Sequence, residues 1–481
     1  MAARNFLARA WAVLEEERVL PASRYRFHLR VGHDYFGDLD NSAFEELEAA
    51  IQAAYPRFAG TVPMSERAYA ATYIYGFLQV CIARLTRDGN GVLEFGPIVD
   101  GCLADLHVAL AAESTGLACL RMTSHLQTHD GKSLTLAGLT LRPLRGESYS
   151  WRQQVVEIFD AAMFGAGQLV EETAPFVYAP PECIIAAQGK GPEGSVDVAL
   201  SKRISAFLMA VRLLTAGTCH SVYEVRGGTQ PVTSNPQLHL FRGALPDSGS
   251  QTSMLRRVAS LSAADEGRIG GLQTLMEAAR KPQQDMVFTS IGMAAERFTV
   301  SFHAHDWSEQ IVDLATAFEA ALSGVDKQDV LLRLRTRATA LLATDKDPAG
   351  AIFKDIGLLY QLRSALVHGG TMSTKTLRKI IQPLSTVPPD APMGLAVAYA
   401  VDRLRDLVRR TLLARFALAG GDSPLWPLNR DDGVDAHLAD DTTRAQWRQA
   451  WRAELASIDA AAAIDAPAGA VWAVRPLEAA E

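Results

Sequence analysis

Across residues 1–90 apolar positions recur at spacings of three and four, as in FEELEAAIQAAY (44–55) and YAATYIYGFLQVCIARL (69–85), a period that predicts amphipathic helices. The opening MAARNFLARAWAVLEEERVL keeps the same period without a separate apolar core or cleavage site, so it reads as a helix with no signal peptide. RDGNGVLEFGP (87–97) then brings turn residues and a short β-prone run. From 115 to 145 the period shortens to two. GLACLRMTSHLQ and SLTLAGLTLRPL alternate around HDGK and predict a hairpin. Helical period returns in WRQQVVEIFDAAMFGAGQLVEE (151–172) and VALSKRISAFLMAVRLLTAG (198–217). Residues 218–255 are mixed, RGGTQPVTSNPQ reading as loop and LHLFRG as strand.

From 286 onward the pattern is helical throughout. MVFTSIGMAAERFTVSFHAH reads as one helix; Asp306, with Glu309 three residues on, caps SEQIVDLATAFEAAL; Asp326 is placed to cap DVLLRLRTRATALLA. Asp347-Pro348 opens AIFKDIGLLYQLRSALV, with proline at the first helical position, and Gly369-Gly370 closes it. After PLSTVPPDAP comes MGLAVAYAVDRLRDLVRRTLLARFAL. The tail carries one more amphipathic helix at about 443–459, with Thr443 and Gln446 as a capping box and Trp447, Trp451, Leu455 and Ile458 on one face; the end, from 459, reads as loosely ordered. The predicted class is therefore α+β: a mixed N-terminal region over 1–285, an all-α bundle over 286–420, and a tail over 421–481.

Composition changes this picture little. With 48% hydrophobic and 21% charged residues, 481 residues exceed what one core accommodates. No apolar run reaches the eighteen or so residues a membrane span needs. Five scattered cysteines without a CxxC pair argue against a disulfide framework or thiolate zinc site, which points to the cytoplasm. Net charge is −7, unevenly spread: 286–420 holds 16 Lys+Arg against 13 Asp+Glu, and 331–420 holds 14 against 6, a net of +8. On charge, the C-terminal part is the better candidate for meeting a polyanion.

Several chemical patterns fail on spacing. Gly131-Lys132-Ser133 ends like a phosphate loop but has Leu126 where the first glycine is required. His303 and His305 would point apart on a helix and read as helix-end surface residues, Cys219-His220 has no further ligands nearby, and RGG at 226–228 is a single copy. What remains is LLYQLRSALVHGG (358–370). On a helical wheel Ile352, Ile356, Leu359, Leu366 and Val367 share a stripe about 100° wide, with Arg363 near its middle. A charge there needs a partner or a wet cleft, and Glu319, flanking the apolar face of SEQIVDLATAFEAAL, is an available partner. His368 lies about 140° further round a straight helix, but the glycines that follow let the chain turn it towards the arginine.

LYQLRSALVHGG resembles the Rx4-6H signature of the HEPN superfamily, specifically its Apea-like branch, whose helix runs Leu-Tyr-x-x-Arg-Ser-x-x-Val-His-Gly. Leu359, Tyr360, Arg363, Ser364, Val367, His368 and Gly369 match. VDLATAFEAAL (312–322) is similar to the family's Asp-Leu-x-x-Ala-Leu-Glu-Ala-Leu helix, with Phe318 replacing a leucine, and LRTRATALL (334–342) to its Arg-x-x-x-Leu-Leu helix. The resemblance covers about 286–420. It implies a dimerising helical bundle that, in active members, cleaves RNA without metal or cofactor, in defence against phage or in stress. By it, Arg363 would bind the scissile phosphate and His368 act as general acid/base, with Ser364, Tyr360 and Glu319 in support. RNA would be the substrate and a second copy of the chain the partner, with no membrane involved. The family also holds non-catalytic members, so a module that binds RNA, nucleotide or a protein partner is the alternative, and a structural bundle with Arg363 paired to Glu319 a third reading.

Overall fold

The computed structural model describes residues 1–16, 42–62, 69–88, 92–144, 182–191, 193–228, 232, 237–240, 255–280, 289–304, 306–323, 329–368, 372–420, 424–426, 433–467 and 471–472. Over these the chain is α+β with a helical C-terminal region. In order they run α1 (Ala2–Glu16), α2 (Ser42–Ala54), α3 (Ala70–Asp88), α4 (Pro97–Ala111), β1 (Thr115–Ser124), β2 (Leu126–Thr128), β3 (Leu134–Leu136), β4 (Leu139–Pro143), β5 (Cys183–Gly191), α5 (Glu193–Thr215), β6 (His220–Gly228) and β7 (Gln237–Leu240). Then come β8 (Leu255–Arg256), β9 (Ala259–Leu261), α6 (Asp265–Arg280), α7 (Ser290–Val300), α8 (Trp307–Leu322), α9 (Val330–Leu342), α10 (Ala349–Val367), α11 (Thr374–Ile381), α12 (Met393–Ala419), α13 (Val434–Ala439), α14 (Asp441–Ser457) and β10 (Val471–Trp472). The helix expected at 151–172 lies outside the described residues.

The main sheet has the order β3-β4-β5-β1-β6-β7. The expected hairpin of the two alternating runs around HDGK does not form, since β1 lies between β5 and β6 and β2 pairs with β9. The second run instead folds on itself, with Ala137 (φ 50°) and Gly138 (φ 69°) joining β3 to β4, both left-handed as a two-residue turn of this twist requires. HDGK instead links β2 to β3. The β-prone VLEF forms no strand, because Pro97 fixes the backbone for the first turn of α4. β5 reads CIIAA, five buried residues in succession, as a strand covered on both faces does.

The chain divides into two compact units, Met1–Met122 with Leu139–Ile204 and Val222–Leu240, and Thr123–Gly138 with Ser205–Ser221 and Phe241–Glu481. The expected boundary at 285/286 falls outside the described residues. In the first unit α1–α4 bury Phe6, Trp11, Leu47, Ile51, Tyr73, Phe77 and Leu106 together. Gly76 is obligatory, since a Cβ there would sit 1.7 Å from the Val232 carbonyl oxygen. Across β1 and β6, Arg121 Nε donates to Glu224 Oε2 at 2.5 Å, and Ser201 Oγ bridges both residues at 2.8 and 3.1 Å. Burial pushes the Glu224 carboxyl up, but Arg121 and Arg226 more than offset it and hold it below its usual range.

The second unit is organised around α12, whose 27 residues are buried along nearly their whole length although six are arginine or aspartate on a core-facing stripe. Arg403 donates to both Asp347 oxygens at 2.9 Å and to Asp355 at 2.9 Å. Arg410 reaches Asp347 and, at 2.9 Å, Asp406. Arg409 binds Asp406 at 2.7 and 3.0 Å and the carbonyls of Leu213, Ala463 and Asp465 at 2.9, 2.7 and 2.9 Å. Those last two bonds pin residues expected to be loosely ordered: 461–464 form a 3-10 turn, and β10 pairs antiparallel with β8.

The helix boundaries differ from expectation where tertiary partners intervene. Asp347 does not cap α10; it is committed to Arg403 and Arg410, and Pro348 takes the cap position instead of the first helical one. α7 ends at Val300, where the Ser301 hydroxyl donates to the Phe298 carbonyl at 2.7 Å, so His303 lies in a turn; His305 lies outside the described residues. α9 starts after Asp329 in a left-handed conformation, and Asp326 lies outside the described residues. Asp440, not Thr443, caps α14 by accepting from the Thr443 amide at 2.8 Å. Asp306 caps α8 as its spacing indicates, accepting from Ser308 and Glu309 amides at 2.7 and 2.9 Å.

Two histidines share the base of β6. His125 Nδ1 lies 2.9 Å from Thr218 Oγ1, His220 Nδ1 lies 3.3 Å from the Thr218 carbonyl, and the rings meet edge-on at 5.1 Å. Burial pushes His125 down to about 3 and His220 down to about 4. Below the unfolded value of about 6.5 the unfolded chain takes up protons that the folded chain refuses. The penalty is therefore absent above pH 6.5 and grows as pH falls towards 4, reaching about 2 kcal/mol per histidine at pH 5. Denaturant titrations from pH 7.5 to 4.5 should show this slope, and His220→Asn, which keeps a short amide donor, should flatten it. Parallel losses in wild type and variant would remove the histidines as the cause.

Candidate functional site

The arginine and histidine singled out by the sequence belong to the last turn of α10, and Glu319 to the last turn of α8, which packs against it. Ile352, Asp355, Ile356, Leu359 and Leu362 are buried, and there the core stops: Leu366 is half-buried and Val367 is 47% exposed. Arg363 is thus not in the middle of a buried stripe, as the wheel suggests. It points to the same side but lies beyond the end of the core, and its side chain stays 22% exposed.

Arg363 Nη2 approaches Glu319 Oε1 at 3.4 Å, close enough for charge attraction and too long for a good hydrogen bond. Glu319 Oε1 and Arg363 Nε are both buried without a hydrogen-bond partner. The Tyr360 ring lies 5.7 Å from the Arg363 guanidinium carbon. Burial pushes the Glu319 carboxyl up, against the opposing pull of Arg363 and Tyr360. Burial, then the neighbouring carboxylate, pushes the Tyr360 phenol up as well. Glu319 and Tyr360 flank the guanidinium without saturating it.

His368 is exposed and forms the C-cap of α10 at φ −85°, ψ 10°, its amide donating to the Ser364 carbonyl at 3.1 Å. Gly369 and Gly370 lie outside the described residues. Arg363, Glu319 and Tyr360 come together; Ser364 is half-buried beside them; no hydrogen bond or ion pair among the described residues joins the His368 ring to Arg363. An exposed imidazole and a largely buried guanidinium, its side chain 22% exposed, make up the site in one copy of the chain.

Residues that the sequence reading passed over complete the surroundings. α11 packs against α10 and exposes Lys375, Arg378 and Lys379 with no acidic residue. Ser373, accepting from the Thr376 amide at 3.2 Å, and the apolar spacing of Leu377, Ile380 and Ile381 were the available signal for it. Asp355 fixes the middle of α10 by accepting from the Ser385 amide at 3.0 Å, the Ser385 hydroxyl at 2.5 Å and Arg403. The positive excess over 331–420 is smaller at the surface than in the sequence. Six of its 14 Lys+Arg (Arg337, Arg403, Arg405, Arg409, Arg410, Arg415) and three of its 6 Asp+Glu (Asp347, Asp355, Asp406) are buried, which leaves eight basic against three acidic residues outside the core.

The five cysteines are all buried, and no disulfide joins them. No described helix is long and apolar enough to cross a membrane. No family model, no curated protein and no solved structure matches the chain.

Proposed function

We propose that the chain is an endoribonuclease of the HEPN type in which Arg363 binds the scissile phosphate and His368 transfers protons. The observation that carries this reading is the placement of His368: an exposed imidazole at a helix end, one turn from an arginine that is not sealed from solvent and beside the basic helix α11. A pair kept for structure would be sealed, since a charge gains most from its partner when water is excluded. RNA supplies its own nucleophile, the 2′-hydroxyl. Imidazole takes the 2′ proton as oxygen attacks phosphorus, the guanidinium stabilises the charge that develops on the phosphoryl oxygens, and imidazolium returns a proton to the departing 5′ oxygen. These roles need one cation and proton carriers, so cleavage should proceed in chelator. Lys375, Arg378 and Lys379 would contact flanking phosphates.

The test is incubation of the purified full chain with mixed RNA in excess chelator, followed by analysis of product ends. Products with 2′,3′-cyclic phosphate and 5′-hydroxyl ends are expected; 3′-hydroxyl ends, or loss of cleavage in chelator, would refute the mechanism. One imidazole per chain is few for both proton transfers, and Val367 beside it is an exposed apolar side chain. A two-fold pairing of α10 ends would bring two imidazoles into one cleft. Light scattering should therefore find a homodimer, and a strict monomer that still cleaves RNA would exclude the composite site.

The second reading, a module that binds RNA, nucleotide or a partner without cutting, is favoured by one observation, the hold of Glu319 on Arg363. It predicts RNA retention on a filter with no products, and weaker retention after Arg363→Gln.

A further inference from the structure

Five arginines of α12 are buried, and Arg415 among them donates to the Ala321 and Trp426 carbonyls at 3.1 and 3.0 Å. Arg403, Arg409 and Arg410 face Asp347, Asp355 and Asp406, three cations against three carboxylates, each hydrogen-bonded. Arg405, on the same helix and 4% exposed, has no carboxylate in reach of a hydrogen bond among the described residues. Its Nη2 donates to Gln310 Oε1 at 3.1 Å and its guanidinium lies 4.9 Å from the Phe302 ring centroid. Among the described residues its Nε and Nη1 have no hydrogen-bond partner, and neither does Gln310 Nε2. Two touching buried side chains thus present three nitrogen donors and no acceptor.

The surroundings do not supply the missing charge. The Arg212 guanidinium lies 4.2 Å from the same Phe302 centroid, and its Nε donates to the Cys219 carbonyl at 2.8 Å. His220 stands in the field of both Arg212 and Arg405. The carboxylate that acts on Arg405 from a distance, Asp402, gives its oxygens to Arg257 at 2.7 and 3.3 Å. Burial holds the Arg405 guanidinium down to about 10, with Arg212 and Arg257 adding to the effect and Asp402 opposing it. A water molecule would accept these N–H groups but leave the charge. An anion does both.

We propose that Arg405 and Gln310 bind a small oxyanion, a phosphate group either free or at the end of a metabolite, inside the second unit. Phe302, Gln310, Arg212 and His220 around it are all buried. This site is separate from the Arg363/His368 site and does not depend on the ribonuclease reading.

Equilibrium dialysis of the full chain against labelled inorganic phosphate, at constant ionic strength in chloride, should find one saturable phosphate per chain. A matching rise in the thermal midpoint, absent in equal chloride, should accompany it. Arg405→Met should weaken binding by at least about tenfold, the loss of charge-assisted hydrogen bonds. It should also abolish the phosphate-dependent rise; an arginine with a merely structural role would shift the midpoint equally with and without phosphate. Gln310→Leu, which leaves the arginine in place, should weaken binding in the same direction and serves if Arg405→Met does not fold. Lys354→Gln, which removes an exposed cation outside both sites, should bind phosphate as wild type does. No saturable binding, unchanged binding in Gln310→Leu or Arg405→Met, or loss of binding in Lys354→Gln would each overturn the assignment. Competition by a phosphomonoester, stronger than by phosphate itself, would identify a metabolite as the source of the anion; competition no stronger would identify free phosphate.

Discussion

His368→Ala is expected to reduce RNA cleavage by about 10²- to 10⁴-fold, the usual contribution of a positioned general acid/base. The fold should survive, because the ring is exposed and makes no hydrogen bond or ion pair among the described residues. Its stability change should stay within about 0.5 kcal/mol, as for surface substitutions away from special features. The two measurements belong together: a cleavage assay by product ends, and a denaturant midpoint on the same preparation. Arg363→Gln should lose cleavage comparably. Its stability cost should also be small, under about 1 kcal/mol, since the Glu319 contact is long and partly exposed. The wheel position alone suggests a larger cost, and the early end of the core is what removes it. If both variants cut RNA at the wild-type rate, the site is elsewhere or the activity is not this chain's.

The second large effect concerns stability. Asp347→Ala should cost about 3–5 kcal/mol, the penalty for breaking a buried ion pair by removing one partner. Asp347 accepts two hydrogen bonds from Arg403 and one from Arg410, and its loss strands part of both guanidinium groups in the core of the second unit. Burial raises the Asp347 carboxyl, but the two arginines outweigh it and hold the group below its usual range. Its contribution is therefore present above the unfolded carboxyl value of about 3.9 and is lost as pH falls through the lower folded value. Asp345→Ala, two residues earlier and exposed, should change stability by no more than about 0.5 kcal/mol. Equal, small effects at 345 and 347 would show that the buried network is not what holds α10 to α12.

That pair of aspartates also shows where sequence reading stops. Both stand in TDKD ahead of a proline, and the local pattern makes the second a helix cap. Its commitment to Arg403 and Arg410, 56 and 63 positions away, is invisible to any local rule. The same holds for the arginines of α12. In the sequence they count towards a positive surface, whereas in the fold they are inside, because carboxylates from α10, from its approach and from α12 itself meet them there.

What the sequence determined by itself is whatever a short period or a neighbouring residue controls. The helices of 286–420, the Asp306 cap, the buried stripe Trp447, Trp451 and Leu455 of α14, and the availability of Glu319 to Arg363 all follow from residues one to four apart or from matching apolar faces. The tertiary structure decided the rest: the sheet order that places β1 between β5 and β6, the cap taken by Asp440, and the exposure of Arg363 and His368 past the end of the core. It decided too that Arg403 is neutralised while Arg405 is not. The reason is physical. Periodicity fixes which side of a helix faces inward, but the cost of a charge there depends on which partners the rest of the chain brings to it.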